Sequence, residues 1–233
     1  MEAIVLAGGF GTRLKSVVSN VPKPMACVAG RPFLELLLSS LRVKGVTRAI
    51  LSVGYMSEII TSHFDKHPIG IDLAYEIEST PLGTGGAIAA ALRHVTHDHV
   101  FVFNGDTYLD LDLRAVAAMW PGDRSPIVVA RSVPDTERFG RLECKNDRIL
   151  RFVGGGQRGA GLVNAGCYLI SRNIFAGVDL PDSFSFEQDC LGRRPPLSLR
   201  AYMFKGKFID IGVPEDFERA QYELARLWPA DTK

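Results

Sequence analysis

The most constraining feature of this chain is an apolar segment near its start that runs directly into a glycine-rich loop. Residues 3–7 (AIVLA) have the length and composition of a buried strand. The loop that follows contains Gly8, Gly9, Gly11, Thr12 and Arg13. Glycines after a buried parallel strand allow a sharp turn and expose backbone N–H groups to an anion. The guanidinium of Arg13 adds donors whose planar geometry matches phosphate oxygens.

A second cation lies shortly after this loop. Lys23 is in the segment VPKPM (residues 21–25), where the prolines favour a stiff, extended backbone. Together the glycine loop, Arg13 and Lys23 predict a binding site for a nucleoside triphosphate. A simple tight turn is the alternative for the glycines, but it gives no role to the neighbouring Arg13.

Two better-known glycine motifs are excluded. The loop lacks the Gly-Lys-Ser/Thr ending of a P-loop, so no residue here takes the lysine and hydroxyl roles of that motif. A dinucleotide-binding loop requires G-x-G-x-x-G, but here Gly9 and Gly11 are followed by residues 12–14 (TRL), with no third glycine. The predicted phosphate site is therefore of another class.

Composition limits the partners of this chain. A length of 233 residues is enough for a full core, and we expect a single domain with the ordinary composition of a soluble protein. The net charge of +1 provides no long-range attraction to nucleic acid or membranes, so we expect neither as a partner. The cysteines form no CxxC pair, and no signal peptide or membrane-length apolar run occurs, which favours a cytoplasmic location. The sequence does not decide between a monomer and a homo-oligomer.

Apolar strands alternate with helical segments along the chain, which predicts an α/β fold with a sheet covered on both faces. We predict further strands at residues 48–53, 71–77, 99–103, 126–131, 162–170, 199–204 and 208–211, and a hairpin from 141–145 and 148–153. We predict helices at residues 32–44, 56–64 and 87–95, and a last one beginning at Pro214.

Two acidic residues stand at the ends of predicted strands. Asp106 follows the strand at residues 99–103, and Asp210 lies in the strand at 208–211. Open α/β sheets bind ligands at the carboxyl ends of their strands, so we expect both carboxylates near the phosphates. The alternative is that each accepts hydrogen bonds from its own turn. Asp112 precedes an apolar helical segment and is interpreted as a helix N-cap.

Seven motifs occur in order along the chain: AGGFGTRL (7–14), PKPM (22–25), PLGTGGA (81–87), NGD (104–106), NAG (164–166), FE (186–187) and DIG (210–212). This series resembles the signature of the sugar-1-phosphate nucleotidyltransferases. The resemblance implies a Rossmann-like three-layer sandwich with a mostly parallel mixed sheet. It also implies transfer of a nucleoside monophosphate from an NTP to a sugar 1-phosphate, with pyrophosphate released. Residues 1–125 and 126–233 are then expected to form the nucleotide-binding and sugar-binding halves of one domain.

The resemblance assigns roles to individual residues. Arg13 and Lys23 are expected to be catalytic, and Asp106 and Asp210 to bind Mg²⁺, which suits in-line transfer between phosphate groups. The expected nucleotide contacts, apart from Glu78, are Leu6, Ala7, Gly8, Gly9, Gly11, Thr12, Gly83 and Thr84. The expected sugar contacts are Asn104, Asn164, Gly166 and Glu187. Glu187 also opens a predicted helix, so a first-turn acid is the alternative for it.

Glu78 bears on the identity of the base. Guanine presents adjacent N1–H and N2–H donors that one carboxylate can accept together, whereas uracil and thymine present a single N3–H. Glu78 therefore favours GTP, unless it is only a solvated glutamate at a strand end. Residues 15–18 (KSVV), the PLGTGGA motif and the short length also most resemble the D-glycero-α-D-manno-heptose 1-phosphate guanylyltransferases of the family. Their sugar nucleotide is expected to feed cell-surface polysaccharide synthesis.

The chain departs from the family pattern in one place. Many members carry Glu-Lys after the strand at residues 148–153, where the lysine meets the sugar phosphate, but here Gly154 and Gly155 follow. Arg158 or Lys207 could take over that contact, the glycine loop could close over the sugar, or the site could be weakened. Three alternatives to the heptose reaction stay open: a mannose 1-phosphate substrate, another hexose 1-phosphate, or a nucleotide-sugar sensor without catalysis.

Overall fold

The computed structural model describes residues 1–11, 14, 18, 20–120, 122–153, 156–195 and 198–227. The strands are β1 (Glu2–Leu6), β2 (Cys27–Val28), β3 (Arg31–Pro32), β4 (Arg48–Val53), β5 (Asp72–Ile77), β6 (His99–Asn104), β7 (Thr107–Leu109), β8 (Ile127–Val133), β9 (Arg141–Lys145), β10 (Arg148–Val153), β11 (Gly161–Ser171), β12 (Leu199–Phe204) and β13 (Phe208–Asp210). The helices are α1 (Phe33–Val43), α2 (Ser57–Lys66), α3 (Gly83–Ala91), α4 (Leu113–Ala118) and α5 (Pro214–Ala225). Short 3₁₀ turns occupy Lys23–Met25 and Leu92–His94, and a π-helical turn occupies Phe186–Leu191.

A nine-stranded mixed sheet forms the centre of the molecule, in the order β5-β4-β1-β6-β11-β8-β12-β10-β9. Strands β5, β4, β1 and β6 are parallel to one another, and β8 is parallel to β12. Strand β11 is antiparallel to β6 and β8, and β10 is antiparallel to β12 and β9. Most strands therefore run in one direction, as expected. Because β11 pairs with β6, one sheet spans residues on both sides of position 125.

Both faces of this sheet are covered, which makes three layers. Alternate residues of β1 enter different cores: Ala3 and Val5 pack on the face that carries α1, and Ile4 packs on the face that carries α3. Strands buried on both faces are continuously apolar, and this property made them recognisable in the sequence. Of the helices in the described residues, none is long and apolar enough to cross a membrane.

The start of α3 differs from the prediction. The helix begins at Gly83, not at Ala87, so the glycines interpreted as a loop form its first turns. They are needed for packing, because a Cβ at Gly85 would overlap the Phe184 ring and a Cβ at Gly83 would lie 2.5 Å from the Phe184 carbonyl oxygen. The Gly85 N–H donates to that carbonyl at 2.9 Å. The segment before the π-helical turn therefore lies directly against the first turns of α3.

Candidate active site

A cavity of about 610 Å³ opens beside the carboxyl ends of β1, β4 and β6. The predicted residues that line it are Leu6, Ala7, Gly8, Gly9, Gly11, Lys23, Glu78, Gly83, Thr84, Asn104, Asp106 and Glu187. Thr12 and Arg13 lie outside the described residues. Most of the predicted nucleotide contacts therefore share one space, and the role of each stays a prediction.

The glycine loop and the lysine segment are in direct contact. Gly11 has a φ of +58°, and a Cβ there would lie 2.7 Å from the Cβ of Lys23. Only glycine adopts this conformation readily and leaves room for the lysine stem. Lys23 begins a 3₁₀ turn, Lys23–Met25, where an extended backbone was predicted; of the two flanking prolines, Pro22 is extended and Pro24 lies within the turn. The loop after β1 and the segment that carries Lys23 consequently form one wall of the cavity.

Lys23 and Asp106 form an ion pair that was not predicted. The Lys23 Nζ donates to the Asp106 Oδ2 at 2.5 Å, and only 11% of the lysine side chain is exposed. Thr107 donates to the other carboxylate oxygen of Asp106 at 3.1 Å. The second predicted cation of the phosphate site is thus also the immediate partner of a predicted metal ligand.

A short two-stranded sheet brings Asp210 next to this pair. Strand β13 is antiparallel to β7, with Asp210 opposite Thr107, and the Ile211 N–H donates to the Asp106 carbonyl at 3.0 Å. The Gly212 N–H donates to the Asp210 Oδ1 at 2.6 Å. Burial raises the pKa of Asp210, and the negative charge of Asp106 raises it further, although Lys23 opposes this. Among the described residues, Gly212 rather than Asp210 lines the cavity, so Asp210 lies just behind its wall.

Glu78 points into the cavity from the end of β5. Its Oε1 accepts from the Ser52 hydroxyl at 2.9 Å, and its Oε2 accepts from the Leu82 N–H at 3.3 Å. A carboxylate has about four lone-pair positions, so acceptor capacity remains for a ligand. Two hydrogen bonds therefore hold Glu78 at the cavity, whereas a merely solvated glutamate at a strand end would have neither.

Three of the four predicted sugar contacts, Asn164, Gly166 and Glu187, belong to one hydrogen-bonded group. Asn104 and Glu187 line the cavity, whereas Asn164 reaches Glu187 through the hydroxyl of Tyr168. Gly166 has a φ of +71°, and a Cβ there would lie 2.6 Å from the Asn104 Nδ2. Glycine at this position therefore leaves Asn104 its place at the cavity.

Two aromatic residues of the cavity were not predicted. Phe10 and Tyr55 line the space with ring centroids 5.5 Å apart, and 51% of Phe10 is exposed. Phe10 could have been recognised in the sequence, because a large apolar side chain is unusual inside a glycine-rich phosphate loop. Tyr55 follows Gly54 directly after β4, at the same sheet edge as the glycine loop.

The suggested replacements for the missing lysine are engaged elsewhere. Arg158 pairs with Glu137 at 3.0 Å with 82% of its side chain exposed, and Lys207 pairs with Glu223 at 3.3 Å. Gly154 and Gly155 lie outside the described residues.

Metal-binding capacity in the described residues is limited. No group of three or more His, Cys, Asp or Glu side chains among them is arranged to hold a metal ion. Asp106 and Asp210 supply two carboxylates beside the phosphate loop. Mg²⁺ is commonly held by one or two carboxylates, with phosphate oxygens and water completing its octahedron.

Comparisons with known proteins identify the family of this chain. The family model described as "Nucleotidyl transferase" matches residues 2–226. The chain is 40% identical to the D-glycero-α-D-manno-heptose 1-phosphate guanylyltransferase of Aneurinibacillus thermoaerophilus, covering 96% of this chain and 98% of that protein. It is also 40% identical to the enzyme of the same name from Campylobacter jejuni, covering 93% and 97%.

A solved structure is also similar to this chain in both fold and sequence. The crystal structure of HddC from Yersinia pseudotuberculosis complexed with GMP-PN matches with a TM-score of 0.85 and 37% identity, over 94% of this chain and 97% of that chain. The sheet order, the cavity and these matches all agree with the resemblance noted in the sequence. The chain belongs to the nucleotidyl transferase family.

Proposed function

We propose that this protein is a guanylyltransferase that transfers GMP from GTP to D-glycero-α-D-manno-heptose 1-phosphate. An oxygen of the sugar phosphate attacks the α-phosphorus of GTP, the bond to the β-phosphate oxygen breaks, and GDP-heptose and pyrophosphate result. The observation that carries the proposal is the convergence of the glycine loop, Lys23, Asp106 and Glu78 on one cavity. The names of the two relatives and the GMP-PN complex of HddC support the choice of sugar and base.

The reaction brings two anions together, so catalysis depends on positioning and on neutralising charge. Lys23 lies where it can change partner between Asp106 and a phosphate oxygen. Backbone N–H groups of the glycine loop can donate to the triphosphate oxygens, and Arg13 is proposed to assist. Because the attacking phosphate is already ionised, no general base is required.

We further propose that Asp106 and Asp210 hold Mg²⁺. The donor set fits, because two carboxylates are held close together by the backbone pairing of β7 and β13. A bound Mg²⁺ would neutralise charge on the triphosphate. A thermal shift on adding Mg²⁺ with a non-hydrolysable GTP analogue tests this, and the shift should be lost in Asp106→Asn.

Glu78 is proposed to select guanine by accepting its N1–H and N2–H. Its hydrogen bonds from Ser52 and Leu82 fix the carboxylate before the nucleotide arrives. A preorganised acceptor of this kind disfavours bases that lack the matching donors, because the lone pairs of Glu78 that Ser52 and Leu82 do not use are then left without a donor.

A substrate matrix tests the proposal. GTP, ATP, CTP, UTP and dTTP are each combined with heptose, mannose and glucose 1-phosphates, and pyrophosphate release is measured. We expect the highest kcat/KM for GTP with the heptose 1-phosphate. A clear preference for UTP would refute the role of Glu78, and a preference for mannose 1-phosphate would change the sugar. Tight binding without pyrophosphate release would favour the sensor.

The cellular setting is a separate proposal. From the family resemblance we propose a cytoplasmic enzyme whose product feeds cell-surface polysaccharide synthesis.

A further inference from the structure

A buried tyrosine connects the residues predicted to bind the sugar. The Tyr168 hydroxyl donates to the Glu187 Oε1 at 2.6 Å and accepts from the Asn164 Nδ2 at 2.5 Å. Only 1% of Tyr168 is exposed, so the tyrosine lies behind the cavity wall and cannot touch a ligand itself. Any effect that it has on the reaction must pass through Glu187 or Asn164.

The direction of this hydrogen-bonded chain is fixed at both ends. The Gly166 N–H donates to the Asn164 Oδ1 at 3.0 Å, so the amide must turn its Nδ2 towards Tyr168. The tyrosine hydroxyl then accepts from Asn164 and has its own proton free for Glu187. Burial raises the pKa of Tyr168 well above its usual range, and the charge of Glu187 adds to this. The hydroxyl therefore stays a donor at working pH.

The local fold holds the tyrosine ring as well as its hydroxyl. The pairing of β11 with β8 shifts register between Asn164 and Tyr168, a bulge of the kind that redirects side chains beside active sites. The Tyr168 ring packs edge-on against Phe186, with centroids 5.2 Å apart. The ring contact and the hydrogen bond together define one orientation for Tyr168 beside Glu187.

Glu187 accepts two further hydrogen bonds on its other oxygen. Thr84 donates to Oε2 at 2.9 Å, and Ser185 donates to the same oxygen at 3.2 Å. Tyr168 is the donor found for Oε1 in the described residues. Without the tyrosine hydroxyl, Oε1 would lose this donor, and the carboxylate would be held through Oε2 alone.

We propose that Tyr168 is a positioning residue, whose hydroxyl holds the Glu187 carboxylate and the Asn164 amide in the orientation that receives the ring hydroxyls of the acceptor sugar. This inference rests on the proposed function, since it requires that a sugar phosphate bind beside Glu187. Sugar pockets depend on such convergent polar groups held in fixed directions.

Steady-state kinetics of Tyr168→Phe test the inference, using GTP and the acceptor that the wild-type enzyme prefers. The loss of one hydrogen bond to a charged group should raise the KM for the sugar phosphate roughly tenfold, while the KM for GTP stays within about twofold. The matched control is Tyr108→Phe, since Tyr108 is also buried, at 4% exposed, and lies on β7. We expect it to lower stability without changing the KM for the acceptor.

A double-mutant cycle separates positioning from simple structural support. In a Glu187→Ala background, Tyr168→Phe should raise the KM for the acceptor much less, because its hydrogen bond to a charged group has been removed and only the weaker contact with Asn164 remains. Additive effects, an unchanged KM for the acceptor, or equal increases in the KM of both substrates would overturn the inference. If Tyr168→Phe cannot be obtained folded, 3-fluorotyrosine at position 168 changes the donor strength while preserving the ring. An unaltered KM for the acceptor in that protein would equally count against it.

Pyrophosphate release by the wild-type enzyme tests the proposed function separately from the role of Tyr168. A wild-type enzyme that releases no pyrophosphate with any sugar 1-phosphate would overturn the function and this inference together. An active wild type with an unaffected Tyr168→Phe variant would overturn only the inference.

Discussion

Replacing Lys23 by methionine should impair catalysis far more than folding. The side chain keeps its length and loses its charge, so the 2.5 Å ion pair with Asp106 disappears. A hydrogen bond between charged groups contributes about 1.5–3 kcal/mol, and the remaining repulsion between Asp106 and Asp210 acts in the same direction. We therefore expect the free energy of unfolding to fall by about 2–3 kcal/mol.

The effect on turnover should be larger. Removing one preorganised group that stabilises transition-state charge costs roughly 10²–10³ in kcat. Urea denaturation measures the stability, and pyrophosphate release at saturating substrates measures kcat. Both assays are run on the same preparation, so that the folded fraction is known.

Lys44→Met is the matched control for this experiment. Lys44 is similarly shielded, at 17% exposed, and its Nζ donates to the Leu109 carbonyl at 2.6 Å, away from the cavity lining. We expect Lys44→Met to lose comparable stability but to keep kcat within about threefold of the wild type. A Lys23→Met enzyme within tenfold of the wild-type kcat would refute the catalytic role, as would an equal loss of kcat in Lys44→Met.

Three further predictions concern other parts of the chain. Glu2 is 2% exposed, and although burial raises its pKa, hydrogen bonds from His97 and Thr96 lower it to about 2. The lowered pKa stabilises the folded state by about 3 kcal/mol above pH 4.5, and this contribution disappears as the pH falls towards 2. In urea denaturation, the free energy of unfolding of Glu2→Gln should therefore fall less between pH 4.5 and 2 than that of the wild type. Glu78→Gln should raise the KM for GTP about tenfold or more while changing the KM for UTP little, and equal changes would contradict guanine recognition. Gly85→Ala should lower the free energy of unfolding by about 1–3 kcal/mol through overlap with the Phe184 ring, which a thermal melt would detect; an unchanged melting temperature would show that this contact yields easily.

The strands of the central sheet could be predicted from sequence to within one or two residues. Their continuous apolar runs identify strands buried on both faces, and β4 (Arg48–Val53) has the predicted bounds. Asp112 was also identified correctly, since it accepts from the N–H groups of Arg114 and Ala115 at the start of α4. These features depend on short stretches of chain, whose chemistry is visible locally.

Features that depend on distant partners could not be predicted. The glycines at the start of α3 looked like a loop because their packing partner, Phe184, lies about a hundred residues away along the chain. The insertion of β11 between β6 and β8 leaves no local pattern, and neither does the ion pair of Lys23 with Asp106. Tyr168 was predicted only as part of the strand at residues 162–170, because its hydroxyl gains a role only after Glu187 folds against it.

The pairing of β7 with β13 has a consequence for synthesis of the protein on the ribosome. When residues 1–200 have emerged from the ribosome, the nascent chain already contains the glycine loop, Lys23 and Asp106. It still lacks β13, the strand that places Asp210 beside Asp106. The Gln221 side chain also bonds the backbone at Cys27 and Ala29, so α5 fixes the hairpin that follows Lys23. Catalytic competence should therefore appear late in translation, and fragments that end before β13 should be inactive even where their central strands have formed.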